Sequence, residues 1–302
     1  MYSSLVPKIT RREILSSGVA SLAFAASPDA LRAASEQTGD SPAGPPIARK
    51  NRIKQSVSRW CYKGIPLDQL CTYSAHIGLR GIDLLDVEDF EVPRRYGLIC
   101  TMGYAGKSGT IKSGLNRLEN HAAIEQDFRQ AIPLAVKSQV PNLITFSGNR
   151  AGLSDEQGAA NTVVGLNRLK KLAEDSGVTI CVELLNSKVN HPDYMCDHTA
   201  WGVSVVQEVN SPHIKLLYDI YHMQIMEGDL IATIQKNIQW LAHFHTGGVP
   251  GRHELNDQQE VQWDGVMRGI AASGFTGYVG HEFVPAGDPL QSLRQAVDLC
   301  DV

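Results

Sequence analysis

Four short apolar runs in the second half of the chain each end in a residue that can bind a cation or move a proton. They are T-I-C-V-E-L-L-N (179–186), I-K-L-L-Y-D-I (214–220), L-A-H-F-H-T (241–246) and Y-V-G-H-E-F (278–283), and the residues are Glu183, Asp219, His245 and Glu282. An ionisable group at the end of a buried run costs several kcal/mol unless it is paired or ligated. Each has a structural alternative: Asp219 could cap the next turn, Glu282 could pair with an arginine, His245 could be a satisfied core histidine. Three carboxylates and one imidazole converging at the ends of four successive strands are satisfied together most simply by a divalent cation. An oxygen-rich set with one nitrogen suits Mn²⁺, Mg²⁺ or Co²⁺ better than a thiolate zinc site.

Two carboxylates beside a cation suit one kind of chemistry in particular. Moving hydrogen between adjacent carbons of an α-hydroxy carbonyl requires removing a proton next to a carbonyl. The ene-diolate that results carries charge on two oxygens, which a chelating cation stabilises. One glutamate takes the proton and a second returns it, each contributing about 10²–10⁴-fold. Arg252, in the P-G-R-H-E loop (250–254), is placed to clamp a carboxylate or hydroxyl in fixed geometry. Trp60 and Tyr104 follow strands one and three, as pocket walls or as packing.

The elements that must position these residues read as eight strand–helix units. Expected strands are 53–58, 81–85, 98–102, 142–147, 179–184, 214–219, 241–246 and 278–283. Expected helices are 67–77, 118–138, 155–176, 198–208, 230–238, 261–273 and 289–299, with 86–96 irregular because of Pro93. In 118–138, Ala122, Ile124, Phe128, Ile132, Ala135 and Val136 recur close to the 3.6-residue period. Strands alternating with helices predict a parallel sheet, and eight units in about 250 residues predict a single α/β (β/α)₈ TIM barrel. Connections into strands are short, whereas those leaving strands (103–117, 186–197, 247–260) are long and polar. In a barrel the latter face carries the site.

The chain has 302 residues, 43% apolar and 20% charged, with a formal net charge of −4. No basic stripe is present, which argues against nucleic acid. No apolar run of 18 residues occurs, so no permanent membrane span is expected. Cys61, Cys71, Cys100, Cys181, Cys196 and Cys300 lack paired spacing, which excludes a small disulfide scaffold and a C-x-x-C metal site. Residues 1–34 have the layout of an export signal, with Arg11-Arg12 ahead of the Ser/Ala/Gly-rich run 16–26. The paired arginines resemble a twin-arginine signal, which implies a periplasmic or exported protein. A Pro/Gly-rich linker (35–50) is expected next, and the barrel over 51–302. The run G-K-S at 106–108 is set aside as a phosphate loop, because Thr101 stands where its first glycine would fall.

These motifs also carry a family resemblance. V-E-L-L-N (182–186) resembles the glutamate-bearing strand of the xylose-isomerase-like barrel superfamily, and D-I-Y-H-M-Q (219–224) is similar to its D-x-x-H-x-Q segment. With F-S-G-N-R (146–150), P-G-R-H-E and G-H-E (280–282), the set most resembles the hydroxypyruvate isomerase branch, from about Ile53 onward. The resemblance implies Glu183 and Glu282 as the acid/base pair and as metal ligands with Asp219 and His245. It places His222 and Arg252 on substrate, a small sugar or hydroxy-keto acid, and it leaves room for a homo-oligomer. His245 stands where ketose 3-epimerases of the superfamily more typically carry histidine. An epimerase, a metal-assisted lyase or hydrolase on keto-glycosides, and a non-catalytic sugar-binding barrel are the alternatives.

Overall fold

The computed structural model describes residues 45–302. The expected signal (1–34) and most of the expected linker lie outside them. Eight parallel strands close into a barrel in sequence order. They are β1 Lys54–Ser58, β2 Gly81–Leu85, β3 Ile99–Tyr104, β4 Asn142–Thr145, β5 Thr179–Leu184, β6 Ile214–Asp219, β7 Leu241–Thr246 and β8 Tyr278–His281. The seam is a ladder between β1 and β8, from Lys54↔Tyr278 to Val57↔His281. Strands buried on both faces need near-continuous apolar sequence, which runs such as L-L-Y in β6 and C-V-E-L in β5 supply.

The helices are α1 Leu67–His76, α2 His121–Ser138, α3 Asp155–Ser176, α4 Thr199–Val209, α5 Ile220–Met226, α6 Leu230–Asn237, α7 Trp263–Ala272 and α8 Pro289–Leu299. Their ends carry local signals. Ser154 accepts the N–H of Gln157 at the start of α3, and Gly177 closes that helix with φ 73°. Asp288 accepts the N–H of Gln291 at the start of α8, with Pro289 in its first turn. As expected, 86–96 forms no α-helix: it makes two 3₁₀ turns, Val87–Asp89 and Val92–Tyr96.

Three differences from the sequence reading bear on the site. α5 follows β6 directly, over residues to which the sequence reading gave no element, so His222 lies on a helix. β8 ends at His281, so Glu282 is the first residue of the following loop; its N–H donates to the carbonyl of Thr246, 3.0 Å. β2 carries an irregularity: its register with β3 shifts on both sides of Asp83, and Leu84 has φ 57°. A β-bulge of this kind re-aims side chains and is common beside active sites. Before β1, Ile47, Arg49 and Lys50 are tied to the barrel through His76, Ile77, Asp298 and Asp301.

Candidate active site

Each site residue sits at the C-terminal end of a strand, the mouth at which such barrels carry their chemistry. Glu183 is next to last in β5, Asp219 last in β6, His245 next to last in β7, and Glu282 directly follows β8. The register pairs Asp219 with His245 and His245 with Gly280, so neighbouring strands deliver the four groups to one level. Asp219 and His245 are wholly buried, and Glu183 and Glu282 expose 4% and 3%. One ligand atom from each lies within 4.8 Å of all the others. Nδ1 of His245 is 2.8 Å from Glu282 Oε2 and 3.4 Å from Glu183 Oε1.

Arg252 closes this cluster from above. Its Nη2 is 2.6 Å from Glu282 Oε2 and 3.1 Å from Asp219 Oδ2. The guanidinium lies 5.3 Å from the ring centre of Trp60 and 5.2 Å from that of Tyr221, between two aromatic faces. Trp60 also donates its indole N–H to Glu282 Oε1. The turn that brings Arg252 inward holds it at φ 61°, costly for a residue with a Cβ. Its N–H bond to Gly248 O (2.8 Å) and its carbonyl's bond from Val284 N–H (2.7 Å) hold it there. The arginine pairing considered for Glu282 from sequence is therefore present.

His222 approaches from the first turn of α5. Asp219 caps that helix: its Oδ1 accepts the N–H of His222, 3.2 Å. This is the capping role considered from sequence, filled by one oxygen while the other faces Arg252. The backbone N–H of Asn186 donates to Nδ1 of His222 at 3.1 Å, and its side-chain Nδ2 lies 2.6 Å from the same atom. Asn186 is oriented unambiguously, since its Oδ1 accepts the N–H groups of Val189 and Asn190. Two donors on Nδ1 require a lone pair there, so the proton of neutral His222 is on Nε2. That atom is buried without a hydrogen bond, 3.6 Å from Asp219 Oδ2.

The electrostatics divide the carboxylates. Burial would raise Glu282, but protonated His245 and Arg252 beside it hold it well below the usual range. Burial raises Glu183, against the pull of His245. Asp219 is pushed up to about 7, mainly by burial and by the charge of Glu282, with Arg252 opposing. Burial would lower His245, but Glu282, Asp83 and Glu183 raise it well above its ordinary value. Burial and the positive charge of Arg252 lower His222 and keep it neutral.

The donor set fits a divalent cation. It offers three carboxylates and an imidazole in one buried cluster. Both ring nitrogens of His245 have carboxylates beside them, yet neither contact reaches hydrogen-bond geometry. Buried polar atoms are normally bonded, so such atoms point to a missing partner. Sequence reasoning passed over Asp83, His243 and Asn186, and took Trp60 as a pocket wall or as packing, not as a donor to Glu282. Asp83 sits in an apolar pentapeptide with nothing near it in sequence to mark it. His243 did carry a signal: at two residues from His245 it must face the same side of β7.

A closed parallel barrel with carboxylates and histidine at its C-terminal mouth belongs to the (β/α)₈ class of catalytic scaffolds. Within that class the chain belongs to the Xylose isomerase-like TIM barrel family, whose model matches residues 94–301. It is 26% identical over 178 residues to a human protein named putative hydroxypyruvate isomerase, covering 57% of this chain and 64% of that one. The match thus spans a little under two thirds of that relative. The hydroxypyruvate isomerase of Escherichia coli K12 is 23% identical over 236 residues, 73% of this chain and 89% of the relative. Among solved structures, a family 2 AP endonuclease from Brucella melitensis superposes with a TM-score of 0.69 at 24% identity. That superposition covers 80% of this chain and 97% of the other, and at that identity it shows the shared fold.

Proposed function

We propose that the protein is a divalent-cation-dependent isomerase of a small hydroxy-keto acid or sugar, of the hydroxypyruvate isomerase type, working through an ene-diolate. The observation that carries this reading is the pair of buried glutamates, Glu183 and Glu282, facing one imidazole nitrogen at 3.4 and 2.8 Å in a cluster with Asp219. The names of the matched relatives support the same class. A bound Mn²⁺, Mg²⁺ or Co²⁺, held by Glu183, Asp219, His245 and Glu282, supplies positive charge for the developing oxyanions.

The chain's own residues do the rest. Glu183 and Glu282 share the proton work: one takes the proton next to the carbonyl, the other returns a proton to the neighbouring carbon, and the roles exchange in the reverse direction. His222 donates Nε2–H to a substrate oxygen, and Arg252 swings its guanidinium to a substrate carboxylate or hydroxyl. Trp60 and Tyr221 wall the mouth and limit water. The second reading is ketose 3-epimerisation, favoured by His245 in its strand position; there the second glutamate returns the proton to the opposite face of the same carbon.

The test is NMR in deuterated water, on metal-analysed protein, with hydroxypyruvate, several ketoses and keto-glycosides. The reading expects cation-dependent deuterium next to a carbonyl with a shifted carbonyl in the product; deuterium at carbon 3 with inversion selects the epimerase. Bound cation with no exchange on any compound would overturn both. Export through residues 1–34 belongs to the proposal as well, and a periplasmic fraction lacking the protein after Arg11→Lys/Arg12→Lys checks it.

A further inference from the structure

Beneath the site lies a second polar cluster that shares His245 with it and adds Asp83 and Thr101, which no motif described from the sequence contains. Asp83 of β2, with Thr101 of β3 and His243 and His245 of β7, is wholly buried. β2 and β7 share no ladder, so the contact crosses the interior of the barrel. Oδ2 of Asp83 accepts from Nε2 of His243 at 2.6 Å and lies 3.3 Å from Nε2 of His245, near it but outside hydrogen-bond geometry. Oδ1 accepts the hydroxyl of Thr101. The interior of such a barrel is ordinarily filled by branched apolar side chains. A buried carboxylate there costs several kcal/mol unless it is fully partnered, and this one is.

Two backbone features are fitted to this carboxylate. Gly280 of β8 faces it, and a Cβ at that position would collide with Asp83 Oδ2 and lie 3.0 Å from Cδ2 of His245. The glycine thus leaves the space in which carboxylate and ring meet. The bulge with Leu84 in the left-handed region adjoins Asp83 in the strand. The cost of that conformation is sustained only where the surroundings fix it.

We propose that Asp83 is a positioning residue for the cation site: with a cation bound, it takes the Nε2–H of His245, so that the Nδ1 lone pair faces Glu183, Asp219 and Glu282. His243 and Thr101 hold the carboxylate in turn. The proposal rests on reading those four residues as a cation site. A carboxylate that accepts the far N–H of a ligating histidine fixes its tautomer and ring plane, and losing such a partner typically weakens metal binding about 10–100-fold.

The experiment uses the full chain, with Mn²⁺ titrated by calorimetry and ¹⁵N-histidine NMR on the Zn²⁺-loaded protein. The expected result is one Mn²⁺ per chain and a His245 ring protonated at Nε2. Asp83→Asn, whose amide can donate to Nε2, and Gly280→Ala should each weaken Mn²⁺ binding about 10–100-fold with an unchanged circular dichroism spectrum. Wild-type affinity in both variants would overturn the proposal, as would a second Mn²⁺ lost with Asp83→Asn. If either variant fails to fold, the wild-type spectrum decides alone: Nδ1–H on His245 in the loaded protein overturns the idea. A wild-type chain that binds no Mn²⁺ overturns the cation reading itself, and this proposal with it.

Discussion

Replacing Arg252 by methionine separates charge from packing at the mouth of the barrel. Methionine retains an unbranched apolar chain between Trp60 and Tyr221 but removes the cation that sits 2.6 Å from Glu282 and 3.1 Å from Asp219. In the metal-free protein the buried carboxylates would then face protonated His245 with one positive charge fewer. Breaking a buried pair by removing one partner costs about 3–5 kcal/mol. At about 2–4 °C per kcal/mol for a barrel of this size, Tm should fall by about 6–20 °C. Mn²⁺ should reverse the effect. At a concentration of about 100 times Kd it stabilises the wild type by about 2.7 kcal/mol, or about 5–11 °C. In Arg252→Met it meets no competing guanidinium, so its shift should be larger. Differential scanning calorimetry with and without Mn²⁺ measures both quantities. An unchanged metal-free Tm would refute the reasoning, and so would a lowered Tm that Mn²⁺ raises no further than in the wild type.

Glu183→Gln and Glu282→Gln should each reduce solvent deuterium incorporation by about 10²–10⁴-fold, read by NMR on whichever substrate the panel selects. Mn²⁺ affinity should fall from about pH 8 to about pH 6, because the Asp219 carboxyl, pushed up to about 7, holds a proton that the cation must displace; calorimetry in buffers of differing ionisation enthalpy counts that proton. The sign for stability is consistent with this. A carboxyl raised above its unfolded value of 3.8 contributes to the metal-free fold below that value and loses the contribution as pH rises through about 7, so stabilisation by Mn²⁺ should grow across the same window. Asn186→Asp places a carboxylate against Nδ1 of His222 and should raise that imidazole's pKa, visible as a ¹⁵N shift at neutral pH; an unmoved resonance would exclude the assigned tautomer.

Most of the barrel was legible because each strand is a short apolar run and each long helix repeats near 3.6 residues. β2, β5, β6 and β7, with α3 and α8, carry the bounds expected from sequence. α5 was not legible: I-Y-H-M-Q-I-M is apolar at almost every position, so no periodicity separates it from the strand before it. What starts it is the Asp219 cap, a side-chain bond and not a pattern. The four groups of the candidate site were visible because each ends a run. Asp83 was not, since its partners Thr101 and His243 lie 18 and 160 residues away along the chain. Only closure of the barrel gives that acid a reason to be buried.

The two oxygens of Asp219 serve different masters, and this ties a helix to the chemistry beside it. Oδ1 holds the first turn of α5 through the N–H of His222, while Oδ2 faces Arg252. α5 is only seven residues long, short enough for its first turn to fray. Whatever alters the charge or engagement of this carboxylate alters the fraying equilibrium, and by reciprocity the order of that turn alters affinity at the mouth. The amide of His222 therefore acts as an internal gauge. Its hydrogen-exchange rate should slow as the mouth fills, reporting occupancy without any substrate turnover.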